Sequence, residues 1–161
     1  MDEKAARRRQ LGRQGEDLVA TWYEKRGYQV VARNWACRDG ELDIVACKGS
    51  QYVFCEVKTR SSGAFGLPVE AVDARKQARL RRLAAMWLAA VRESRESTAR
   101  DAASPGGFGG HESAELRSRS GGTQIVPASR AHARAPRGHF DLRFDVASVL
   151  AGAVEVTEEA F

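Results

Sequence analysis

Apolar positions recur at helical spacing near the start of the chain. Leu11, Gly15, Leu18, Val19 and Trp22 fall on one stripe, which predicts a helix from about Ala5 to Arg26, with Gly27 as its C-terminal stop. The segment YQVVARNW is short and rich in β-branched and aromatic residues, so it predicts a strand. DGELDIVACKGSQYVFCEVKTR then reads as a hairpin, two apolar strands around Gly49-Ser50. A loop holding Gly63, Gly66 and Pro68 follows. Asp73 is placed to cap a second long helix, in which Leu80, Leu83, Trp87 and Val91 form the buried stripe. FDLRFDVASVL predicts a final strand. The order α-β-β-β-α-β is that of an α/β fold in which two helices cover a small mixed sheet.

One segment breaks the pattern. Of the 42 residues from Ser97 to Gly138, 24 are Gly, Ala, Ser or Pro, and the only sizeable apolar residues are Phe108, Leu116, Ile125 and Val126. So little apolar surface does not offset the entropy of ordering, and residues 97–138 read as a disordered insertion. A single domain is left, made of residues 5–96 and 139–151, with 152–161 as a C-terminal tail. The full chain of 161 residues is 43% apolar and 29% charged, which suits one domain and leaves little room for two. No apolar run approaches the about 18 residues needed to cross a bilayer. The opening MDEKAARRRQ is charged throughout and lacks the apolar core of a secretory signal. Cys37, Cys47 and Cys55 lack CxxC spacing, so neither a disulfide framework nor a zinc knuckle is indicated. A cytoplasmic protein without membrane contact is expected. Lysine and arginine (26) exceed aspartate and glutamate (21), for a formal charge of +5, which permits a polyanionic partner without demanding one.

The hairpin carries the candidate chemistry. With Gly49-Ser50 as the two central turn residues, Asp43 lies opposite Glu56 and Glu41 opposite Lys58. Alternation then puts Glu41, Asp43, Val45, Cys47, Tyr52, Phe54, Glu56 and Lys58 on one face, and Leu42, Ile44, Ala46, Val53, Cys55 and Val57 on the other. Both faces are largely apolar, so these strands are expected inside the fold. Directly opposed side chains have Cβ atoms about 4.5–5.5 Å apart, close enough for Asp43 and Glu56 to share one cation. Two carboxylates so held repel each other, and a divalent metal relieves that repulsion. Carboxylate oxygens suit Mg²⁺, and Lys58 on the same face can orient a water or neutralise charge on a phosphate. The alternative is a set of cross-strand ion pairs at a wet sheet end, Glu41 with Lys58 among them.

These residues resemble the PD-(D/E)xK nuclease superfamily, through Asp43, a twelve-residue gap, and Glu56-Val57-Lys58. The wider pattern is similar to the YraN-like family of predicted endonucleases. It consists of Gly12-x-x-Gly15-Glu16, Arg33-Asn34, Gly40-Glu41-Leu42-Asp43, Phe54-Cys55-Glu56-Val57-Lys58-Thr59-Arg60, Phe65-Gly66-x-Pro68, Lys76 and Arg143-Phe144-Asp145-Val146. The resemblance implies a restriction endonuclease-like core, a four-strand sheet flanked by helices, that hydrolyses phosphodiester bonds with Mg²⁺ or Mn²⁺. It implies Glu16, Asp43 and Glu56 as metal ligands and all three, with Lys58, as the catalytic set. Leu42 stands where the superfamily motif has proline. DNA is the expected substrate, in a repair or recombination role, and a homodimer is compatible with cutting two strands.

Lys76, Arg79 and Arg82 on the second helix are candidates for contact with a nucleic-acid backbone, against the alternative of a solvated helix face; Arg60 and Arg143 are weaker ones. His111, His132 and His139 are scattered and receive no role. The rival to a nuclease is a non-catalytic nucleic-acid-binding module of the same fold.

Overall fold

In the computed structural model, which describes residues 2–60, 72–102 and 140–161, the chain forms seven elements. They are α1 (Glu3–Glu24), β1 (Gln29–Cys37), β2 (Gly40–Lys48), β3 (Gln51–Arg60), α2 (Ala74–Ala102), β4 (Asp141–Leu150) and β5 (Ala153–Thr157). The strands lie in the order β1-β2-β3-β4-β5 in one sheet, a mixed α/β arrangement. Three of the neighbouring pairs are antiparallel and β3–β4 is parallel.

The expected sheet of four strands is therefore one short. β5 lies within the stretch read as a tail, because Val154 and Val156 alternate at a spacing that packs them on the α1 side of the core. Two valines in five residues give too weak a pattern to stand out in the sequence. α2 also runs to Ala102, past the start of the stretch read as an insertion. The remainder of that stretch, the loop with Gly63, Gly66 and Pro68, and all three histidines lie outside the described residues.

The hairpin register is as the sequence predicts from Ile44↔Cys55 to Lys48↔Gln51, across a turn in which Gly49 takes a φ of +61°. Beyond Ile44 the β2–β3 ladder stops. The strict alternation along β2 fails at the same point. Leu42, expected beside Ile44 and Ala46, packs instead with Val45, Tyr52 and Phe54 on the α2 side. On the neighbouring strand, Asn34 has a φ of +50° and sits between the pairs Arg33↔Ile44 and Trp35↔Leu42, in the position that faces Asp43. Left-handed backbone at a residue with a side chain is uncommon and is best tolerated by Asn or Asp. The regular sheet is thus interrupted on two adjacent strands at one level.

Each helix covers one face. α1 buries Val19, Ala20 and Tyr23 against Ile44, Ala46, Val53, Cys55 and Ala147. Leu18, placed on the buried stripe by spacing, is 40% exposed, and Tyr23 takes the interior position. α2 buries Leu80, Leu83, Ala84 and Trp87 against Leu42, Val45, Phe54 and Phe144. Full burial of a valine, leucine, isoleucine or phenylalanine among these contributes about 1.5–3 kcal/mol. Asp73 caps α2 as expected, its carboxylate accepting from the backbone N–H of Lys76 at 2.8 Å. Among the described residues, no helix is long and apolar enough to cross a membrane.

A buried polar cluster ties α1 to β4. Asp145 is fully buried and accepts from Arg143 Nε at 3.0 Å, Arg143 Nη2 at 2.9 Å and the Tyr23 hydroxyl at 2.6 Å. The backbone N–H of Glu159 donates to it at 3.1 Å, and Arg143 Nη1 donates to Glu158 at 3.0 Å. Burial, with the Asp145 charge behind it, pushes the Tyr23 hydroxyl well above its ordinary pKa. Burial works against the Arg143 charge, but its bonds to Asp145 outweigh that and raise its pKa.

Candidate active site

The interruption of the sheet has a chemical consequence. Where the β2–β3 ladder stops, Val57 of β3 pairs with Ala147 of β4 but with no residue of β2. The Asp43 carboxylate fills the place, its Oδ2 accepting from Val57 N–H at 2.8 Å. Asp43 is therefore not in the cross-strand pair with Glu56 that strict alternation predicts; it caps the opened ladder one residue further along β3. Its carboxyl pKa is pushed up to about 7, chiefly by burial and then by the charge of Glu56. The Val57 N–H pulls the other way, and Glu16 and Glu41 add smaller repulsive contributions.

Glu56 projects to the α2 side and is 7% exposed. Its Oε1 accepts from Lys58 Nζ at 2.6 Å, so Lys58 pairs within its own strand rather than across to Glu41. Burial opposes the Lys58 charge, but the bond to Glu56 and its field prevail and hold the ammonium above its usual pKa. The same Glu56 oxygen also accepts from Lys76 Nζ, which reaches down from the first turn of α2. Lys76, expected as a surface contact for nucleic acid, is thus half-buried inside the site.

Glu16 comes from α1. A side chain at Gly15 would collide with Thr59 Oγ1, so the absence of one lets α1 lie directly on the end of β3. That brings Glu16 to the opened end of the sheet, where the Asn34 side-chain amide donates to its Oε2 at 2.7 Å. The left-handed Asn34 thus both breaks β1 and orients the acid on α1. Nothing in the hydrophobic pattern marks Asn34 for this role. Its sequence signals are its place in the Arg33-Asn34 pair of the family-like pattern and the tolerance of Asn for such a φ.

Arg79 is exposed on α2 beside Gly40, and Arg60 is half-buried at the end of β3. Arg60 lines a cleft of about 300 Å³ with Leu11, Leu18 and Val149, which none of the site carboxylates lines. A larger cavity, about 590 Å³, lies at the other end of the sheet around Phe140, Phe144 and Phe161. Arg143 borders that second cavity, but its guanidinium is spent on Asp145 and Glu158, which answers against a phosphate contact.

Among the described residues, no three acidic, histidine or cysteine side chains form a preformed metal cage. What is assembled is smaller: a buried carboxylate, Glu56, a half-buried one, Asp43, a third acting through its charge from Glu16, and two ammonium groups. Hard carboxylate oxygens, mutually repulsive and few in number, fit Mg²⁺ or Mn²⁺, which keep several waters when bound by one or two protein carboxylates.

A profile described as Uncharacterised protein family UPF0102 matches residues 15–149. The UPF0102 protein of Beutenbergia cavernae is 61% identical over 79 residues, 49% of this chain and 67% of its own length. That of Parafrankia is 57% identical over 79 residues with the same coverage, and that of Acidothermus cellulolyticus 55% over 84 residues, 52% of this chain and 64% of its own. The chain thus spans about two thirds of the length of the relatives it matches.

Proposed function

The chain belongs to the family UPF0102, and we propose that it hydrolyses phosphodiester bonds in nucleic acid, DNA first, as a metal-dependent nuclease of restriction endonuclease-like type. The observation that carries this is Asp43 in the gap of the opened β2–β3 ladder, with Glu56 and Lys58 two residues apart on the facing strand. This spacing and the order of the surrounding motifs support membership of the PD-(D/E)xK superfamily.

Asp43, Glu56 and, from α1, Glu16 would hold the cation, which when bound supplies the positive charge that activates water and offsets charge on the phosphate. Lys58 orients the attacking water beside the phosphorus and stabilises charge as the bond to the leaving oxygen breaks. Asn34 keeps Glu16 turned toward the site. Arg60 and Arg79 hold backbone phosphates on either side, contacts that are indifferent to base sequence.

The test is cleavage of labelled single-stranded, duplex, flapped and four-way-junction DNA, and of RNA, with Mg²⁺, Mn²⁺ or EDTA, by the parent chain and Lys58→Ala. Cleavage that needs metal and falls at least about 100-fold in the variant is expected. A folded Lys58→Ala protein that cuts at the parental rate would falsify the assignment. The double engagement of Glu56 by Lys58 and Lys76 favours a second reading, a module that binds nucleic acid without turnover. Tight, salt-sensitive binding with no cleavage in the same panel would select it.

A further inference from the structure

Glu56 is 7% exposed, yet a single oxygen of its carboxylate accepts from two ammonium groups. One cation is enough to balance it. The second takes up the remaining room at that oxygen. The two lysines also differ in how they are held. Lys58 lies two residues from Glu56 on the same strand, so the backbone of β3 sets its place. Lys76 arrives from another element, at the capped first turn of α2, and bridges helix to sheet through its four-carbon stem.

We propose that Lys76 is an exchangeable counter-ion. It holds Glu56 while the cation is absent, gives it up when a divalent cation binds, and its released ammonium then takes a phosphate of the nucleic acid. This rests on the metal-dependent reading above. The physical reason is occupancy. An oxygen that already accepts from two ammonium groups has little left to offer a third cation. A divalent cation repels the ammonium groups on the oxygen it approaches, and one of them leaves to make room. Lys76 leaves because nothing in β3 fixes it there. Its stem keeps it close to the site, where a phosphate finds a charge-assisted donor. Cation and nucleic acid then bind cooperatively, each raising the affinity for the other by the same factor.

The experiment uses the full chain with Lys76→Met, which keeps the stem and removes the charge, and Lys76→Arg, which keeps the charge. Mn²⁺ binding is measured by titration calorimetry without nucleic acid. Affinity for a labelled phosphorothioate duplex is then measured with and without Mn²⁺. Lys76→Met is expected to bind Mn²⁺ at least about 5-fold more tightly than the parent, the lower end of typical coupling between sites. Its gain in duplex affinity on adding Mn²⁺ should shrink by a similar factor, and Lys76→Arg should stay near the parent. If Lys76→Met binds Mn²⁺ no more tightly while Glu56→Gln loses it, the counter-ion role is overturned and the metal-dependent reading stands. Equal tightening in both Lys76 variants would also overturn it, since charge would not be the cause. A parent chain that binds no Mn²⁺ overturns the metal-dependent reading itself.

Discussion

The Val57 backbone N–H donates to the Asp43 carboxylate across 2.8 Å, at the point where β2 and β3 cease to pair. A side chain here does what a strand carbonyl does elsewhere in the sheet, and it does so among like charges. Burial first, and then the charge of Glu56, outweigh the Val57 bond and push the Asp43 carboxyl pKa up to about 7.

That shift sets a pH dependence. A carboxyl whose pKa is raised by folding binds its proton more tightly in the folded state, so stability is lost as pH rises from the unfolded value, about 4, toward 7. In EDTA, urea denaturation should show the parent chain less stable at pH 8 than at pH 5, with Asp43→Asn reducing that loss by on the order of 1–3 kcal/mol. Equal pH profiles for the two proteins would show that Asp43 is not under this pressure. Added Mg²⁺ should recover stability in the parent at pH 8 and not in the variant.

Asn34 serves two purposes that substitution can separate. Asn34→Gly keeps the left-handed backbone and removes the amide that holds Glu16. Its stability should stay within about 1 kcal/mol of the parent while cleavage drops about 10-fold or more. Asn34→Val should instead cost about 1–3 kcal/mol, because a β-branched residue resists that φ. Thermal melts beside rate measurements decide between these outcomes.

The seating of α1 on β3 is equally open to test. Gly15→Ala should destabilise the chain by about 1–3 kcal/mol and reduce cleavage, since the helix has to lift away from Thr59 and carry Glu16 with it. Adding Thr59→Ala makes room and should restore most of both. A double-mutant cycle with no coupling between positions 15 and 59 would place the cost elsewhere.

Asp145 is fully buried and bonded by Arg143 and Tyr23, so its removal strands a charged guanidinium. Asp145→Ala should cost about 3–5 kcal/mol, and Tyr23→Phe about 1–2 kcal/mol. Urea denaturation measures both. Because the cluster is a structural tie and not part of the carboxylate site, Tyr23→Phe should cut at the parental rate once folded.

The sequence pattern reveals α1, the β2–β3 hairpin, the cap on α2 and β4, because each rests on a local periodicity or a turn signal. The same periodicity misplaces Leu42, since strict alternation has no means to register the break that Asn34 and Asp43 make together. It misplaces Leu18 for a related reason: a helical stripe fixes an angle, and Tyr23 in place of Leu18 is decided by the Asp145 partner waiting across the core. The grouping of Asp43, Glu56 and Lys58 follows from hairpin spacing alone. The contact of Lys76 with Glu56 does not, because it depends on how α2 is laid on the sheet, which only the packing of Leu80, Leu83 and Trp87 determines. The pairing of Arg143 with Asp145 and Glu158 is hidden from the sequence for the same want of tertiary information.

The parallel pairing of β3 with β4 has one more consequence. Lys58 faces Ser148, and Gln51 faces Asp141, partners about ninety positions apart along the chain. Everything that builds the candidate site, from Glu16 to Lys76, is contributed by the first half of the sequence, with antiparallel neighbours only a few residues distant. The two halves therefore assemble on different clocks. The β1–β2–β3 meander closes quickly over short loops, and β4 docks late, after a large search. β3 spends that interval as an open edge, and its apolar run from Tyr52 to Cys55 is then exposed to self-association.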